Sequence, residues 1–78
     1  MAYARRTFKG RVVRYWRQSG YGFLAIVGSN REAHFCLRDF DHAIGGDELQ
    51  QGDILECYLE QAKAGLKAIR ISKQGLRR

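Results

Sequence analysis

Tyr21 and Phe23 stand two residues apart in the run Ser19-Gly20-Tyr21-Gly22-Phe23-Leu24. On a β-strand that spacing puts both rings on one face. A glycine precedes each ring and adds no side chain to cover it. Leu24 and Ile26 fall on the opposite face and compete better for an interior. Two open rings side by side can stack on unpaired nucleobases, because every base offers a π-face. With the strand register inverted, the same rings would instead fill the core.

Other chemistries find less support. His34, Cys36, His42 and Cys57 could each ligate a metal, but they form no Cys-x-x-Cys or His-x₃-His pair. No nucleophile stands beside a base at a recognisable spacing, and no loop has a phosphate-cradling pattern. Neither an enzyme, a metal site nor a cofactor is expected.

The chain has 78 residues, enough for one domain with one small core. It is 45% hydrophobic and 12% aromatic, so it can fold without disulfides. The apolar stretch from Tyr21 to Val27 falls far short of the roughly 20 residues of a membrane span. No apolar segment follows the first basic residues, so no signal peptide is expected. The expected location is the cytoplasm, with Cys36 and Cys57 as free thiols.

The net charge is +6 and is unevenly spread. Arg5, Arg6, Lys9, Arg11, Arg14 and Arg17 fill the first segment without an acid. Lys63, Lys67, Arg70, Lys73, Arg77 and Arg78 fill the last one, again without an acid. Asp47, Glu48, Asp53, Glu56 and Glu60 lie between them. Basic proteins of this size meet polyanions, although such charge also serves solubility alone.

The elements that must position the rings are strands. Residues 1–7 read as a flexible basic arm, 8–73 as the folded domain and 74–78 as a basic tail. Phe8 to Trp16 is rich in β-branched and aromatic residues and predicts the first strand. Arg17-Gln18-Ser19-Gly20 predicts a turn, and Tyr21 to Val27 the second strand. Gly28-Ser29-Asn30 turns the chain into a third strand, Glu32 to Leu37. A short helical turn fits at Leu37 to Phe40 within a long connection that runs to Gln51. Asp53 to Gln61 predicts a fourth strand with Ile54, Cys57 and Leu59 as its apolar members and Leu55 and Tyr58 on the other side. Leu66 to Ser72 predicts a fifth, with Ala68, Ile69 and Ile71. Five short strands hide their edges by closing. The fold class is therefore all-β: a five-stranded antiparallel OB-fold barrel.

These fragments resemble the cold-shock domain family over Phe8 to Ser72. Lys9-Gly10-Arg11-Val12 resembles its opening strand. Gly20-Tyr21-Gly22-Phe23-Leu24 resembles its first ribonucleoprotein motif, and Ala33-His34-Phe35 the end of the second. Leu49-Gln50-Gln51-Gly52 followed by Glu56 resembles its lead into the fourth strand. Lys63-Ala64-Gly65-Leu66-Lys67-Ala68 resembles its closing hairpin. The chain departs from the pattern at Arg14, where a tryptophan is common, and at Trp16, where an asparagine is usual. Ser19 replaces a lysine, Glu32 replaces the leading phenylalanine of the second motif, and the loop before Leu49 is longer.

The resemblance implies binding of single-stranded RNA or DNA on the outer face of strands one to three. It also implies RNA-chaperone activity without nucleotide hydrolysis, often tied to cold or stress. Carried over by position, the candidate nucleic-acid-binding residues are Arg14, Tyr15, Tyr21, Phe23, His34, Phe35 and Phe40. Lys9, Arg11 and Arg17 are expected to supply phosphate contacts. Phe35 is equally suited to the core, and Trp16 reads as a packing residue outside the site. Arg14 and Glu32 are expected to pair across neighbouring strands. The expected partner is RNA rather than DNA, met without strong sequence preference and by a monomer. The alternative is an OB-fold protein-interaction module with weak or no nucleic-acid binding.

Overall fold

A computed structural model describes residues 6–73. The N-terminal arm as far as residue 5 and the tail from residue 74 lie outside the described residues. Five strands form: β1 (Phe8–Trp16), β2 (Tyr21–Ile26), β3 (Glu32–Cys36), β4 (Ile54–Ala62) and β5 (Gly65–Lys73). They close into a barrel in the order β1-β2-β3-β5-β4. Two 3₁₀ turns, Leu37–Asp39 and Gly46–Glu48, lie in the connection from β3 to β4.

The barrel is mixed rather than wholly antiparallel. β3 and β5 meet in parallel at His34 and Lys67, while the other four strand pairs are antiparallel. Closure with an odd number of strands requires this. Directions cannot alternate all the way around a ring of five. The long β3–β4 connection crosses the barrel end, and this crossing lets β5 run alongside β3.

Alternation along each strand fills the interior. Val12, Leu24, Ile26, Ala33, Phe35, Leu55, Cys57, Leu59, Ala68 and Ile71 are buried there, and Leu49 closes one end from the connection. Burial of apolar area on this scale is the main stabilising term. On β4 the interior row is Leu55, Cys57 and Leu59, so Ile54 lies on the other face of the strand, contrary to the sequence expectation. Both cysteines are free, and burial first, then Glu56, raises the Cys57 thiol to about 11.

Two bulges break the alternation. On β1, Val12 pairs with Leu24 and Arg14 with Phe23, which leaves Val13 as an extra residue. On β5, Ile69 pairs with Tyr58 and Ser72 with Glu56, and Arg70 adopts a positive φ of 51°. The second bulge returns Ile71 to the interior three residues after Ala68. No helix among the described residues is long and apolar enough to cross a membrane.

Candidate nucleic-acid interface

β2 carries the centre of the site. Its burial alternates strictly, with Gly22, Leu24 and Ile26 inward and Tyr21, Phe23 and Ala25 outward. The rings of Tyr21 and Phe23 meet edge to face, 5.6 Å between centroids. From β3, His34 pairs in register with Phe23, and its ring lies 6.0 Å from that of Tyr21. His34 Nε2 is enclosed and has no hydrogen-bond partner among the described residues.

The bulge at Val13 decides what β1 contributes. Before it, Gly10 and Val12 face inward; after it, Tyr15 does. Arg14 and Trp16 therefore project outward, opposite Phe23 and Tyr21. Trp16 is 48% exposed and stacks on Tyr21 at 6.1 Å with an interplanar angle of 19°. It also meets the edge of Phe23 at 6.2 Å. The surface thus holds a continuous aromatic group of Trp16, Tyr21, Phe23 and His34.

Sequence reasoning left Trp16 out. A strict period of two from Val12 would have placed Arg14 and Trp16 inside, yet it also grouped them on one face. That shared face is the signal the sequence carries, because Arg14 is expected on the surface.

Three of the expected site residues lie apart from this group. Tyr15 follows Arg14 directly, so the two cannot share a face. Its half-buried ring stacks on Phe35 at 6.2 Å, and its hydroxyl donates to the Gly46 carbonyl at 3.0 Å. Partial burial raises its pKa; Arg17 opposes this and Asp47 adds to it. Phe35 is fully buried, and its ring lies beneath Gly22. Phe40 is half-buried against the core, edge-on to Phe35 at 6.4 Å, and its backbone bridges to Ile71 of β5. None of these three rings lies in the outer aromatic group.

The glycines of the motif have a different reason from the one expected. Gly22 faces inward, where a Cβ would collide with the Arg14 carbonyl and the Phe35 ring. Gly20 takes a positive φ of 67° in the turn before β2, against Leu37. They shape the strand beneath the rings rather than leave the rings uncovered.

The charges are arranged around this group. The Arg14 guanidinium carbon lies 5.0 Å above the centre of the Phe23 ring, in cation–π range. One of its nitrogens donates to Glu32 Oε1 at 3.2 Å, so the expected pair forms. The strands are not the neighbours expected: Arg14 and Glu32 belong to β1 and β3, and the pair spans β2. Both side chains are about half exposed, and such pairs stabilise by ~0–1 kcal/mol. Lys9 and Arg11 are exposed on the outer side of β1.

Arg17 pairs with Asp47 at 2.9 Å and so ties the β1–β2 turn to the β3–β4 connection. Beyond Tyr21, an open cleft of about 390 Å³ lies between that turn and Cys36, Arg38 and Gly46. Contacts that anchor the connection go to Tyr15, Arg17, Gly20, Lys67, Arg70, Ile71 and Lys73, none of which belongs to the aromatic group.

No group of His, Cys, Asp or Glu with metal-holding geometry occurs among the described residues. No protein-family model matches the chain, and no curated protein matches it.

Proposed function

We propose that the outer face of β1, β2 and β3 binds single-stranded nucleic acid, RNA in preference to DNA, as a divergent cold-shock-like domain. The observation that carries this is the placement of Trp16, Tyr21, Phe23 and His34 in one contiguous group outside a core that is complete without them. Stacking on such rings is worth about 1–3 kcal/mol per base and tolerates any sequence. Two or three stacked bases with phosphate pairing support micromolar-scale affinity after ordering costs. The net charge of +6 favours approach of a polyanion.

The mechanism is passive. Rings that take up unpaired bases lower the free energy of the open strand, so hairpins lose their advantage. Nothing is hydrolysed. A cytoplasmic setting belongs to the same proposal, as do RNA-chaperone activity and a role under stress.

The Arg14–Glu32 pair favours a second reading, because it covers Phe23 and offsets one of the cations. On that reading the barrel is a protein-interaction module. A titration with short unstructured RNA, followed through Trp16 fluorescence, separates the two. Quenching at micromolar strand, weakened by salt, supports nucleic-acid binding. No response at tens of micromolar sinks it and leaves the second reading.

A further inference from the structure

We propose that Phe23 and Glu32 form a guanine-selecting subsite, which Arg14 fills in the free protein. The inference rests on the single-strand binding proposed above and specifies one base of the ligand.

Arg14 shows what the subsite accepts. Its guanidinium is planar, lies over the Phe23 ring at 5.0 Å and gives an N–H to Glu32 Oε1 at 3.2 Å. The site therefore holds a flat group on an aromatic ring with its donor edge turned to a carboxylate. An ionised carboxylate accepts hydrogen bonds and donates none. Guanine presents a matching edge. Its N1–H and N2–H₂ are adjacent donors on the same guanidine-like unit, so both can meet one carboxylate. Uracil and thymine offer one N–H between two carbonyl oxygens, which face the carboxylate unfavourably. Cytosine and adenine each present one amino group and fall between.

Exchange is physically easy. An ion pair with both members about half exposed is weakly held. A base arriving on Phe23 takes the place of the guanidinium and its hydrogen bond together. The released Arg14 keeps its charge and turns to the neighbouring phosphate, where its fork of donors fits. Glu32 thus repels the backbone less than an isolated carboxylate would, because its acceptor faces a base edge. His34, also outward on β3, flanks the same ring from the position paired with Phe23.

The test uses the full chain and RNA hexamers of uridine whose third base is uracil, cytosine, guanine or hypoxanthine, read by Trp16 fluorescence. The guanine hexamer is expected to bind on the order of tenfold tighter than the all-uridine one. Hypoxanthine lacks the N2 amine and is expected to fall between. Glu32→Ala, with circular dichroism to confirm the fold, should erase both differences. Arg14→Ala should keep them, because the acceptor remains. Equal binding of all hexamers overturns the subsite and leaves the single-strand proposal standing. So does a guanine preference that survives Glu32→Ala, or one lost in Arg14→Ala, which would assign the reading to the arginine. Failure of every hexamer to bind removes both proposals.

Discussion

Gly22 and Phe35 are cross-strand partners, and a Cβ on Gly22 would stand 2.7 Å from Cζ of Phe35. The Arg14 carbonyl blocks the same space from β1. The glycine is what lets the largest fully buried side chain lie under β2. Gly22→Ala must move a buried ring or a backbone strand. It is expected to cost about 1–3 kcal/mol through overpacking. The melting temperature should drop by at least about 4 °C. An unchanged thermal unfolding curve would contradict this packing.

Phe23 and Phe35 should respond oppositely to truncation. Phe23→Ala removes an outer ring, so strand affinity should fall by about 1–3 kcal/mol with the fold intact. Phe35→Ala hollows the core and should cost about 3–5 kcal/mol of stability. Urea unfolding beside RNA titration reads both. Trp16→Ala belongs with Phe23, and Tyr15→Phe should leave RNA affinity near that of the unaltered chain.

Lys9 and Arg11 are exposed and make no ion pair among the described residues. If each meets one phosphate, the double change Lys9→Gln/Arg11→Gln flattens the salt dependence. The slope of log affinity against log salt should lose about 0.7 per contact removed. Titrations at several salt concentrations measure it, and an unaltered slope would place the strand elsewhere.

Cys57 imposes an alkaline limit on stability. Burial lifts its thiol from 9.0 in the unfolded chain to about 11 in the barrel. Below pH 9 both states keep the proton and the full stability is present. Between 9 and 11 the unfolded chain loses its proton first, so stability falls as pH rises. The steepest loss from one such group is about 1.4 kcal/mol per pH unit. Tyr15, also raised, acts with the same sign. Urea unfolding at pH 8 and pH 10 should show the decline, and Cys57→Ala should show less of it. An equal decline in both proteins would absolve the thiol.

The barrel was legible because its cause is local. Alternation of apolar residues over Tyr21 to Ile26 put Tyr21 and Phe23 outside, and they are outside. Turns at Gly20 and Gly28 take positive φ where glycines stand. The 3₁₀ turn at Leu37–Asp39 falls inside the stretch expected to be helical. Opposite charge pairs Arg14 with Glu32 as expected, though across β2 rather than between neighbouring strands. β4 was harder, because Ile54 and Leu55 are adjacent and equally apolar; only the neighbouring strands choose between them.

The chain's own order of residues determined the all-β class, the strand boundaries to within a residue or two, and the outward pair on β2. Tertiary pairing alone decided that Trp16 joins that pair while Tyr15 turns inward, and that β3 runs parallel to β5. The physical reason is that alternation is a property of one strand, whereas a bulge arises when two strands are laid side by side. Val13 looks like any β-branched residue until Leu24 and Phe23 are set opposite its neighbours. One extra residue there exchanges the faces of everything after it, and the character of the candidate surface depends on that exchange.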